Sequence, residues 1–183
     1  CIRDSWGCRG REFKSHRPDQ LFFFFEHYPL IENMKKPTLA WIGTGVMGEP
    51  MARRLLSEGY SLTVHTRTVE KATRLLKNGA IWADSPAQAV RKASVIFSML
   101  GYPEDLERVM LGPHGVIAGI NSGTVVVDMT TSSPELAMRM TSEFKSKNSS
   151  CLDAPVSGGD VGAKNGTLAI MCGGQQVAYQ QVL

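Results

Sequence analysis

The chain has 183 residues, 43% of them apolar and 20% charged, with a formal net charge of +3. This is the composition of a globular chain long enough to bury a real core as one ordinary domain. The small charge argues against nucleic acid or a membrane surface as partner, and no apolar run approaches the roughly 20 residues that span a bilayer.

Residues 1–33 come first and differ in kind from the rest. The stretch from Cys1 to Gly10 has neither helical nor strand periodicity, and the run Leu21 to Phe25 has no apolar pattern around it. A secretory signal would need a basic start, a longer apolar core and a small-residue cleavage site. A mitochondrial presequence is poor in acids, yet Asp4, Glu12, Asp19, Glu26 and Glu32 stand here. The head is therefore expected to be non-native or disordered. Met34 is the expected natural start of a single dinucleotide-binding domain over 34–183. Four cysteines, at 1, 8, 151 and 172, form no metal pattern and no disulfide framework. Cys151 and Cys172 are expected to be buried thiols in a reducing compartment, cytoplasmic or, as the alternative, mitochondrial. No metal is expected.

From Thr38 the pattern alternates. Thr38–Ile42 reads as a strand, and Val46–Ser57 as a helix stopped by Glu58-Gly59. Between them lies Gly43-x-Gly45-x-x-Gly48, the strand–turn–helix setting that gives a glycine triplet meaning. Gly43 permits the tight turn. Gly45 lets a pyrophosphate approach the backbone, and Gly48 lets helix pack on strand. The helix N-terminus offers N–H groups and a positive dipole end to phosphate.

Ser61–His65 is the second strand. An NAD-specific domain usually ends this strand on an acidic residue that binds the ribose hydroxyls. Here it ends His65-Thr66-Arg67-Thr68, and guanidinium suits a 2′-phosphate. NADP is the expected cofactor, with NAD weaker. His65 is read as a solvated imidazole. A helix over Val69–Lys77 and a short strand over Ala80–Trp82 follow. Ser85-Pro86 opens a further helix, with Ser as N-cap and Pro at the first position. Ser94–Met99 is a buried strand, Pro103–Met110 a helix, and Gly123–Val127 a strand ending at Asp128. Ser133-Pro134-Glu135 opens a helix to about Lys147. Ser150–Asp153 and Thr167–Met171 are the last strands. Near-continuous apolar strands between helices imply a mostly parallel sheet covered on both faces, the doubly wound α/β Rossmann fold.

Four motifs carry a family resemblance over residues 38–183. They are Trp41 to Ala52 (WIGTGVMGEPMA), Thr66-Arg67-Thr68, Val127 to Pro134 (VDMTTSSP), and Asp153 to Gly159 (DAPVSGG) followed by Gly162-Ala163 and Gly166-Thr167-Leu168. In these the chain resembles the β-hydroxyacid dehydrogenases, the group of 3-hydroxyisobutyrate dehydrogenase and the glyoxylate/succinic semialdehyde reductases. More distantly it resembles 6-phosphogluconate dehydrogenase. The resemblance implies roles. Gly43, Thr44, Gly45, Val46, Met47 and Gly48 would lie along the pyrophosphate. Thr66, Arg67 and Thr68 would face the adenosine ribose phosphate. Leu100 and Gly101 would touch the cofactor, Gly101 departing from the Leu-Pro of many relatives. Thr131 would stand near the nicotinamide ribose. Ser157, Gly158 and Gly159 would hold the carboxylate of a small substrate, and a glycine-rich turn with a hydroxyl is a reasonable anion nest. Asp128 and Asp153 are read as groups that shape turns rather than move protons.

The family's acid–base lysine sits in a Gly-x-x-x-Lys-x-x-Asn pattern expected beyond Leu183. Lys164 belongs to a different loop, so no catalytic residue is assigned. The resemblance also implies an all-helical domain beyond this chain and a homo-oligomer for the full-length form. It implies hydride transfer between NADPH and a small β-hydroxy acid or semialdehyde carboxylate. An imine reductase on the same scaffold and a non-catalytic NADP-binding module are the alternatives.

Overall fold

A computed structural model describes residues 36–183. The segment 1–33 and Met34 lie outside the described residues. Strand β1, Leu39–Ile42, is buried along its whole length. Its residues alternate between two cores. Ala40 and Ile42 pack on one face of the sheet, with Val90, Leu106, Met110, Met140 and Phe144. Leu39 and Trp41 pack on the other, with Ala52, Val64, Leu75 and Leu152. Burial on both faces is why these strands read as continuous apolar runs.

Helix α1 is Gly48–Ser57, β2 Leu62–His65, α2 Thr73–Lys77, β3 Ile81–Trp82 and α3 Pro86–Val90. Then come β4, Val95–Ser98, α4, Pro103–Leu111, and α5, Val116–Gly119. They are followed by β5, Val125–Asp128, α6, Pro134–Ser146, and β6, Ser150–Asp153. The six strands form one parallel sheet in the order β3-β2-β1-β4-β5-β6. The order reverses between β1 and β4, and ligands bind at that crevice, outside the carboxyl ends of the strands. Register makes those ends level. Ile42 pairs with His65 on one side and Ser98 on the other, Ser98 with Asp128, and Asp128 with Asp153. The Ser85 and Ser133 hydroxyls accept from the N–H groups of Gln88 and Leu136, each at 3.2 Å, with proline next in the chain. These caps satisfy donors that would otherwise be orphaned.

The structure corrects several expectations. The helix read from Val69 begins as a 3-10 turn, Val69–Ala72, before α2; such turns are common at helix starts. The helix read from Val46 begins at Gly48, although Glu49 N–H already reaches the Gly45 carbonyl at 3.0 Å. The strand expected over Thr167–Met171 shortens to β8, Ala169–Ile170. It pairs antiparallel with β7, Val156–Ser157, outside the main sheet. The cause lies in the backbone beside it. Gly166 and Gly174 turn the chain at φ 73° and 147°, and Gly173 bridges both ways to Asp153 at 2.9 and 2.7 Å. Helices α5, α7, Gly159–Asn165, and α8, Gln176–Gln181, were not legible in the pattern. Arg54 ties α7 to α1 by donating to the Lys164 carbonyl at 2.7 Å.

Candidate functional site: a cleft at the strand ends

The cleft opens where β1, β2 and β4 end. It encloses about 840 Å³. Gly43, Gly45, Thr66, Arg67, Thr68, Leu100 and Gly101 line it together. Seven of the residues singled out from sequence thus share one cavity.

The three glycines serve three different ends. Gly43 turns at φ 94°, and a Cβ there would lie 2.3 Å from the Met99 carbonyl oxygen. A Cβ on Gly48 would lie 2.0 Å from the Gly43 oxygen and 3.0 Å from the Trp41 indole nitrogen. That indole also donates to the Gly43 oxygen at 2.9 Å and so fixes the turn from beneath. A Cβ on Gly45 would meet nothing within 4 Å. Packing explains Gly43 and Gly48. Only the open cavity explains Gly45, and its bareness fits a phosphate brought against the backbone. Thr44 stands beside Gly45, outside the lining. It is buried, yet its hydroxyl has no hydrogen-bond partner, and buried polar atoms are nearly always partnered. Val46 is exposed and Met47 half-buried at the mouth of α1, where the first N–H groups of a helix lack intrahelical acceptors.

At the second-strand end, Arg67 is exposed and stands 3.7 Å from the Asp105 carboxylate. Lys71 and Arg108 line the same wall, and Arg108 also pairs with Asp105. Sequence reading missed Lys71, Asp105 and Arg108. The spacing of Asp105 and Arg108 within one helical turn was visible, but only the fold brings α4 opposite β2. The expectation of a solvated His65 is corrected. The side chain is part-buried, with Nδ1 2.9 Å from the Ala83 carbonyl and its ring 5.7 Å from Trp82, because β3 lies beside β2 there.

A buried network positions the Leu100-Gly101 wall. Leu100 N–H donates to the Thr130 hydroxyl at 3.0 Å. Thr130 N–H and the Ser98 hydroxyl donate to Asp128 Oδ1 at 3.1 and 2.8 Å. Burial pushes the Asp128 carboxyl above the usual range, the hydrogen bonds from Ser98 and Thr130 oppose this, and Asp153 adds to it. Thr130 is therefore the threonine built into the wall. Thr131 is exposed one residue further and does not line the cavity.

Thr44, Val46, Met47, Gly48 and the segment Ser157 to Gly159 also lie outside the cavity lining. Ser157 ends β7, and Gly158 and Gly159, at φ 130° and 61°, lead into α7; all three are exposed. Lys164 is paired with Asp160 at 2.9 Å, which holds that carboxyl below its ordinary value. Cys151 is buried, and burial raises its thiol. Cys172 is exposed, contrary to expectation, because the chain has left the main sheet by then. Among the described residues no helix is long and apolar enough to cross a membrane.

Comparison with known proteins supports the same reading. The family model for the NAD binding domain of 6-phosphogluconate dehydrogenase matches residues 38–183. The chain is 46% identical to a probable 3-hydroxyisobutyrate dehydrogenase-like 1, mitochondrial, of Arabidopsis thaliana, covering 79% of this chain and 43% of that one. It superposes on a solved structure of Psf3 in complex with NADP+ and 2-OPP with TM-score 0.75 and 33% identity, covering 79% of this chain and 51% of that one. Imine reductases share the scaffold. One from Pseudomonas sp. superposes with TM-score 0.70 at 25% identity, covering 80% of this chain and 50% of that one. The chain spans about half the length of the curated relatives it matches. Motifs, strand order, cleft and relatives agree, and the chain belongs to the β-hydroxyacid dehydrogenase family, as an NAD(P)-binding domain of the 6-phosphogluconate dehydrogenase type.

Proposed function

We propose that this chain is the cofactor-binding half of an NADP-dependent oxidoreductase whose substrate is a small β-hydroxy acid or semialdehyde carboxylate. The observation that carries the cofactor choice is Arg67, a cation on the cleft wall at the end of β2, where an NAD-specific domain has a carboxylate. Gly43 to Gly48 hold the pyrophosphate, Arg67 and Thr68 the ribose 2′-phosphate, and Leu100 and Gly101 close the opposite wall. Thr131 serves the nicotinamide ribose. Ser157, Gly158 and Gly159 hold the substrate carboxylate through backbone N–H groups and a hydroxyl. The nicotinamide supplies the hydride when bound, and the protein contributes binding, orientation and electrostatics. Buried Asp128 stays committed to Ser98 and Thr130, so it fixes the wall and carries no proton to substrate. The proton donor of the intact enzyme is the family lysine, outside these residues. The intact form is a homo-oligomer of the cytoplasm or mitochondrion.

The test is a titration of this chain with NADPH and NADH. NADPH binds more tightly by about tenfold or more, the worth of a charge-assisted phosphate contact of about 1.5–3 kcal/mol. Arg67→Ala removes that advantage and hardly changes NADH. Equal loss for both cofactors shows that Arg67 does not read the phosphate.

A further inference from the structure

Arg67 is not alone on its wall. Its Nη1 lies 3.7 Å from Asp105 Oδ2, too far for a hydrogen bond but close for opposite charges. The other oxygen, Oδ1, is taken by Arg108 one turn along α4. Arg67 follows β2, whereas Asp105 and Arg108 come from α4, so the pairing joins two elements of the cleft; all three line the same cavity. Arg67 is 78% exposed and Asp105 27%. An ion pair this exposed contributes little to folding. Its consequence is for what else Arg67 binds.

We propose that Asp105 sets how strongly this cleft distinguishes a 2′-phosphorylated adenosine ribose from a plain one, because its carboxylate competes with the phosphate for the Arg67 guanidinium. The inference rests on the reading of Arg67 as the 2′-phosphate ligand. A phosphate dianion approaching Arg67 is repelled by Asp105 at nearly the same range. It also separates Arg67 from its present counter-ion. An uncharged ribose feels neither effect. Arg108 moderates the competition by holding the other Asp105 oxygen. The device needs no movement of the backbone, and being exposed it weakens with salt.

The experiment uses two probes without nicotinamide, adenosine 2′,5′-bisphosphate and 5′-AMP. Each is titrated against the full chain at low ionic strength. Asp105→Asn is expected to tighten the bisphosphate by about three- to tenfold, the size of one exposed charge interaction, and to leave 5′-AMP within twofold. Asp105→Ser is read beside it and gives the same gain. Asp105→Glu keeps the charge and stays near wild type. The gain shrinks at high salt. An unchanged or weaker bisphosphate in Asp105→Asn overturns the inference, as does an equal gain for 5′-AMP or for Asp105→Glu. The NADP reading fails separately. A wild-type chain that binds both probes equally, with Asp105→Asn then preferring the bisphosphate, removes the cofactor preference and supports the role of Asp105.

Discussion

A methyl group on Gly45 would enter open space, and one on Gly48 would lie 2.0 Å from a backbone oxygen. The two glycines of one motif therefore fail in opposite ways. Gly45→Ala is expected to keep the melting temperature, since Gly45 has no left-handed φ and the added carbon meets no atom. It should weaken NADPH by about tenfold or more, equivalent to about 1.4 kcal/mol or more. Gly48→Ala should destabilise the fold by about 1–3 kcal/mol, as overpacking does. Thermal melts and cofactor titrations on the two variants separate these outcomes; a Gly45→Ala chain that melts early would show that packing, not the ligand, demands glycine there. Sequence already assigned these roles, because a glycine triplet between strand and helix has few uses. It did not find Thr130, whose hydroxyl accepts from the Leu100 N–H and is built into the wall. Neighbouring threonines after a strand differ only in which way the chain turns, and that is set by Asp128 at the end of the same strand, held by Ser98 from the neighbouring one.

At the scale of elements, the ends of β4 and β5 are joined by one carboxylate. Asp128 Oδ1 accepts from both Ser98 and Thr130, while Oδ2 has no partner. Burial raises this carboxyl, so the folded state holds its proton more tightly than the unfolded chain. The folded form then binds more protons, and stability falls as pH rises. The fall begins at the unfolded value, near 3.9, and is complete once pH passes the raised folded value. Asp128→Asn keeps the Oδ1 acceptor and removes the titration. Urea midpoints followed upward from about pH 4 should therefore fall less steeply in the variant. An identical slope would show that Asp128 does not carry the pH dependence, and Asp153, whose carboxyl burial also raises, would be the next to replace. The six parallel strands were legible because each is an apolar run between helices. Helix α7 was not, since Gly159-Asp160-Val161-Gly162 has poor intrinsic helix propensity. Its place comes from the Arg54 contact and the left-handed Gly166 that ends it, neither of which is periodic.

For the whole molecule, both faces of the sheet are packed by helices drawn from residues 48–181. The sequence reading of residues 1–33 as a head outside the domain predicts that deleting them shifts the melting temperature by less than about 2 °C, below the shift that 1 kcal/mol gives in a domain of this size. A fall of several degrees would make the head part of the fold. The architecture could be read before any coordinate, since alternation of strand and helix permits few sheets. The pair of Arg67 and Asp105 could not, because no local pattern brings the end of β2 to α4. The strand order has a further consequence, for synthesis. Strand β1 sits between β2 and β4, yet β4 leaves the ribosome only after β2 and β3. Until then Leu39-Ala40-Trp41-Ile42 presents a bare hydrogen-bonding edge that is apolar on both faces. Such an edge recruits other chains, and pairing that must wait for distant sequence is slow. Before Val95–Ser98 arrives the nascent protein thus carries an edge open to aggregation, at the same central strand that later anchors the cofactor cleft.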